Sequence, residues 1–131
     1  MAIMRFVAAL LLALLPSIVS ARDSGQWDAA DPAIAQWYSS LRQPDAPLTS
    51  CCGEADAYWA DEVVVEGDKV YAVITDDRDD GPLRRWHVPV GTKILIPPHK
   101  YKFDQGNPTG HVIIFLNRNQ DVLCYVQNGG V

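Results

Sequence analysis

Little in this chain suggests large machinery. It has 131 residues, only three cysteines and three histidines, and fewer bases than acids, with 11 Lys and Arg against 16 Asp and Glu. The acidic balance excludes a typical nucleic-acid binder, and the length excludes a two-domain enzyme. Beyond the first 21 residues there is no long apolar run, so no stable membrane insertion is expected of the rest. Also missing are a phosphate-cradling glycine loop, a G-x-S-x-G elbow and a dinucleotide fingerprint. No C-x-x-C or H-x₃₋₅-H pair is present, and no internal repeat or low-complexity tract is visible.

The residues at the start of the chain carry a pattern of their own. Arg5 precedes an uninterrupted apolar run over 6–15, which is too short to span a bilayer. Pro16 breaks the run, and Val19-Ser20-Ala21 has the small-x-small character that signal peptidase cuts. The expectation is a cleaved signal peptide over 1–21 and a single β-rich domain over 22–131, periplasmic or secreted. No cysteine follows the cut, so a lipid-anchored form is not indicated. Arg5 is the only base lost with the leader, which takes the net charge from −5 to −6. Residues 22–75 hold ten acids and three bases, and residues 76–131 hold six and seven. An acidic first half suits a solvated face that keeps an exported protein dispersed.

Asp31 to Arg42 reads as a helix. Asp31 suits the N-cap, Pro32 suits the first helical position, and Ile34, Trp37, Tyr38 and Leu41 form one apolar stripe. Pro44 and Pro47 end it. Strand texture follows at 58–66 and 69–75 across Gly67-Asp68, then at 83–88 and 93–96, with an edge piece at 101–103. A second hairpin joins 111–117 to 122–126. Both of its strands are apolar on adjacent as well as alternate positions, which places it mid-core. The predicted fold is mainly β with one N-terminal helix (α+β), a small antiparallel barrel or sandwich of about six short strands with the helix over one opening.

Cys51, Cys52 and Cys124 carry the most information. Three thiols allow one internal disulfide, and a bridge between neighbours would need a strained eight-membered ring. One of Cys51 and Cys52 joined to Cys124 is therefore expected, closing a loop of about 72 residues worth roughly 4 kcal/mol. A second reading takes Cys51, Cys52, His87 and His111 as zinc or copper ligands, with His99 a further imidazole. A third makes a cysteine of the pair a nucleophile. Ser50-Cys51-Cys52-Gly53, with the strands at 90–96 and 110–116, resembles NlpC/P60 cell-wall peptidases. In that family the cysteine opens a buried helix and a strand-borne histidine is its base. Residues 53–61 are short and polar for such a helix.

Three other patterns have plainer explanations. Asp76 to Gly81 looks like a calcium loop, but Arg78 and His87 stand where an EF-hand needs an oxygen ligand and a bidentate acid. Lys100-Tyr101-Lys102-Phe103 fits an edge strand defended by lysines better than a nucleic-acid site. Pro108 disqualifies Asn107-Pro108-Thr109 as a glycosylation site.

A wider resemblance covers both ends of the expected domain. Trp37-Tyr38-Ser39-Ser40-Leu41-Arg42, Pro44 and Ser50-Cys51-Cys52-Gly53-Glu54-Ala55-Asp56 resemble a group of small exported alphaproteobacterial proteins. Trp86-His87-Val88-Pro89, Gly106 to His111 and Cys124-Tyr125-Val126 match members of that group too. Ala57 stands where many of them have a further cysteine. The resemblance implies a Gram-negative periplasmic or secreted setting and brings no reaction with it. Taken together, the sequence points to a non-enzymatic, disulfide-stabilised binding or structural domain of the cell envelope, with an envelope or protein partner and no cofactor.

Overall fold

A computed structural model describes residues 31–78, 86–104 and 106–128. The expected leader, and the 83–85 portion of one expected strand, lie outside the described residues. In order, the elements are α1 (Pro32–Ser40), β1 (Arg42–Gln43), β2 (Ala46–Ser50), β3 (Ala57–Trp59), β4 (Glu62–Glu66), β5 (Lys69–Val73), β6 (Lys93–Leu95), β7 (Tyr101–Asp104), β8 (Ile113–Leu116) and β9 (Val122–Asn128). Short 3₁₀ turns occupy Glu54–Asp56 and Pro98–Lys100. The described residues are mainly β with one helix. Their nine strands form a β1–β2 hairpin, a four-stranded sheet in the order β3-β8-β9-β7 and a three-stranded sheet in the order β4-β5-β6. No closed barrel forms among the described residues.

The helix starts where the sequence places it. The Asp31 carboxylate accepts the N–H groups of Ala33 at 2.9 Å and Ile34 at 3.5 Å, satisfying donors that a first turn leaves unpaired. It ends two residues earlier than expected, because Leu41 is already extended and Arg42 pairs with Ser50. Pro44 and Pro47 thus belong to a two-stranded ribbon that sequence patterning did not show.

The apolar stripe of α1 packs on one face of the four-stranded sheet. Strand register shows why that sheet is apolar on both faces. Ala57, Phe115 and Cys124 are paired neighbours, as are Trp59, Ile113 and Val126, and these side chains meet Tyr38 and Leu41 beneath the helix. The alternating set, Tyr58, Ile114 and Tyr125, points the other way and packs with Ala72, Ile94 and Ile96 of the three-stranded sheet. Helix, four-stranded sheet and three-stranded sheet are therefore stacked layers, with two apolar interiors. All four residues of β8 are fully buried, as expected for a strand covered on both sides.

Three expectations need correction. The stretch 58–66 is not one strand: Ala60 and Asp61 turn the chain from β3 in one sheet to β4 in the other. Ala60 N–H bonds to the Val112 carbonyl, and Asp61 N–H to Thr75 Oγ1. The described part of the strand expected at 83–88 is not a strand, since Trp86 to Val88 has no ladder partner. Finally, β7 is an edge strand as expected, but it runs parallel to β9, with Tyr101 beside Tyr125.

Candidate binding surface

Cys51 and Cys124 form the disulfide, with Cα atoms 5.7 Å apart and both residues wholly buried. Cys51 follows β2 and sends its N–H to the Leu41 carbonyl at 3.0 Å. Cys124 sits inside the central strand β9. The bridge thus fastens the end of the β1–β2 ribbon to the middle of the four-stranded sheet, under the helix. Cys52 stands outside the bridge and is half-buried. Its φ is 88° and that of Gly53 is 94°, a left-handed turn that L side chains rarely adopt. Its N–H bonds to Ser50 Oγ at 2.9 Å, and its thiol lies 3.7 Å from the Ser50 carbonyl. The choice between Cys51 and Cys52 rests on this turn, which residue types alone do not reveal.

The same geometry bears on both chemical readings of the cysteines. Cys51 is oxidised, so it can be neither thiolate nucleophile nor metal ligand. No helix follows Cys52, only the Glu54–Asp56 turn and then β3. His111 precedes β8 at the Trp59 end, whereas Cys124 pairs with Phe115. The His111 ring is engaged by Asp61 and Trp59. Among the described residues no three His, Cys, Asp or Glu side chains gather closely enough to hold a metal ion. His87 is exposed, and His99 Nε2 lies 3.7 Å from the Asp45 carboxylate.

His111 belongs to a cluster that sequence spacing did not reveal. Its ring is stacked on Trp59, centroids 3.8 Å apart and planes 8° from parallel. The Arg78 guanidinium lies 4.3 Å from the same indole. Two groups at those distances cannot share a face, so Trp59 is sandwiched between them. Each outer layer is held by a carboxylate. Asp61 approaches His111 Nδ1 at 2.8 Å and accepts Val112 N–H at 2.8 Å. Asp76 takes Arg78 Nε at 2.9 Å and Nη2 at 2.7 Å, and it also accepts Trp59 N–H at 3.1 Å. Asp76, the first residue of the supposed calcium loop, is thus a buried structural partner of an arginine. Residues 79–81 of that loop lie outside the described residues. With both faces of Trp59 covered, the cluster is a clamp across the junction of the two larger sheets rather than an aromatic platform for a ligand.

Two titrating groups show how the layers are wired. Burial, then the neighbouring Tyr101 and Asp61, pushes the Tyr125 hydroxyl up to about 12. The hydrogen bond from Lys100 holds Asp45 below its ordinary value. Lys100 Nζ reaches Asp45 at 2.8 Å and Gln43 Oε1 at 3.1 Å, tying the β1–β2 ribbon to the turn before β7. Lys100 is therefore occupied with structure, while Phe103 is 79% exposed at the sheet edge.

Among the described residues, two surfaces stand out as places to bind. One is a cleft of about 130 Å³ between Tyr58, Trp86, His87, Arg118 and Gln120. Tyr58 donates its hydroxyl to the Trp86 carbonyl there, and Arg118 lies 5.2 Å from the Trp86 ring. That volume is below the roughly 300 Å³ at which small-molecule sites begin; it suits a single side chain. The other surface is β4, the outer strand of the three-stranded sheet. On it Val63 and Val65 are 49% and 66% exposed. In comparisons with known proteins, no family model matches the chain, and no curated protein or solved structure matches it either.

Proposed function

We propose that the chain is an exported protein of a Gram-negative cell envelope, periplasmic or secreted, and acts there as a non-enzymatic binding domain. The observation that carries this reading is the buried Cys51–Cys124 bridge. Structural disulfides persist in oxidising compartments and are rare in the cytosol, and this one is placed where the domain has most to gain from it. The leader-like residues 1–21 support the same setting, as does the resemblance to small exported alphaproteobacterial proteins. No helix among the described residues is long and apolar enough to cross a membrane. Binding rather than catalysis is favoured because the reactive candidates are committed elsewhere: Cys51 to the bridge, His111 to Asp61 and Trp59.

The test is to express the full chain in a Gram-negative host, isolate the periplasmic and cytoplasmic fractions, and map thiols and bound metal in the same sample. A shortened chain in the periplasm with Cys51 bound to Cys124 and Cys52 alkylatable is the expected result. Retention in the cytoplasm with three free thiols would overturn the reading, as would stoichiometric zinc or copper.

A further inference from the structure

We propose that the free edge of β4 takes up one extended peptide strand, antiparallel, with alternating apolar residues and a basic residue at each end. This rests on the reading of the chain as a binding domain and names its partner's chemistry. The edge is defined by ladder parity. Just past β5, Ile74 bonds Thr92 and Gly91 through its own N–H and carbonyl, and within β5 the Val70 carbonyl accepts Ile96 N–H. The even-numbered residues of β5 therefore turn their backbone toward β6 and the odd-numbered ones toward β4. The β4 residues opposite Val73, Tyr71 and Lys69 are Glu62, Val64 and Glu66. Val63 and Val65 are left with N–H and carbonyl facing outward, four hydrogen-bonding groups in a row of the kind that templates another strand.

Side chains add a pattern to that backbone. Val63 and Val65 pair with Ala72 and Val70 on the core-facing side of the sheet, yet both stay largely exposed. An added strand with apolar residues opposite them would extend the interior by one row. On the opposite face Glu62 and Glu66 bracket Val64, and Asp61 and Asp68 lie just beyond, with Lys69 the only base between residues 61 and 69. Lys93 crosses Tyr71 to pair with Glu66, and Asp61 is engaged by His111 and Val112. A basic residue on the added strand therefore finds its carboxylate chiefly at Glu62 and would share Glu66 with Lys93. A second copy of this chain is a poor occupant. Glu62-Val63-Val64-Val65-Glu66 is a palindrome, so antiparallel self-pairing about Val64 sets glutamate opposite glutamate at both ends, and like charges directly opposite are destabilising. A strand reading basic–apolar–any–apolar–basic meets every position with a complement.

The probe is the peptide acetyl-Gly-Lys-Val-Thr-Val-Lys-Gly-amide, added at low ionic strength to the oxidised mature chain and followed by amide NMR shifts. Shifts centred on Val63 and Val65 are expected. Exchanging both peptide lysines for glutamate should weaken binding by about tenfold or more. N-methylating the two peptide valines should abolish it, whereas N-methylating the lysines should not, because only the valine amides face β4. Val65→Pro should remove one outward donor while keeping the ladder to β5; the N-methyl series decides the matter on the unaltered protein if that variant unfolds. Equal binding of the glutamate peptide would overturn the proposal. So would indifference to N-methylation, or a dimer that Val65→Pro dissolves. Failure of the peptide while the protein is periplasmic and bridged overturns this proposal alone; a cytoplasmic, unbridged chain overturns the reading on which it rests.

Discussion

Replacing both members of the bridge, Cys51→Ala with Cys124→Ala, tests what holds the layers together. The two cysteines are separated by 73 positions. Releasing a loop of that length returns conformational entropy to the unfolded chain worth about 4 kcal/mol at 25 °C. Unfolding entropy near 2.1 cal/mol/K per residue gives about 0.2 kcal/mol/K for a domain of roughly 100 residues, so the melting temperature should fall by about 20 °C. Both sulfurs lie at 0% exposure beside Tyr38 and Phe115, so the space left by their removal acts in the same direction. The assay is thermal unfolding by circular dichroism, comparing the oxidised protein with the double variant and with Cys52→Ala. Cys52 is outside the bridge, so its replacement should move the midpoint by only a few degrees. A double variant melting within about 5 °C of the oxidised protein would refute the reasoning, because the staple would then contribute little.

Other changes probe the remaining layers. Asp76→Ala removes a buried carboxylate that holds Arg78 and the Trp59 amide; a loss of about 2–4 kcal/mol in urea unfolding is expected, tempered by the partial access of Arg78 to water. The same variant should change Trp59 emission as the guanidinium leaves the ring. Asp31→Ala deletes the helix cap and should cost about 1 kcal/mol by the same assay. Because the Tyr125 hydroxyl is raised to about 12 in the folded protein, the unfolded chain ionises first as pH rises. The contribution of this group should therefore be constant below pH 10 and decline between about 10 and 12, a decline that Tyr125→Phe should reduce.

Helix α1 was legible because capping and periodicity are local: Asp31, Pro32 and the Ile34–Trp37–Tyr38–Leu41 stripe are chemistry within one turn or two. The hairpin at Gly67 and the buried β8–β9 pair were legible for the same reason. The break between β3 and β4 was not. Residues 58–66 are rich in residues that favour strands, and only the long-range bonds of Ala60 to Val112 and Asp61 to Thr75 show that the chain changes sheets there. The parallel docking of β7 on β9 likewise depends on partners far apart in sequence. In the cysteine region, residue types narrowed the bridge to two possibilities, and the left-handed backbone at Cys52 and Gly53 separates them. The Trp59 clamp had no sequence signal, because its five charged or aromatic members come from three separate stretches of chain.

The position of β9 has a consequence for how the molecule is made. This strand follows every other described element, yet it lies between β8 and β7 and carries Cys124. A chain delivered from its N-terminus must hold β3, β7 and β8 without the strand that joins β8 to β7 until β9 arrives, because contacts distant in sequence form only after the loop is closed. Closure of the four-stranded sheet therefore waits for β9. Under the export proposed above, that order would leave the Cys51–Cys124 bridge to close only after β9 has crossed.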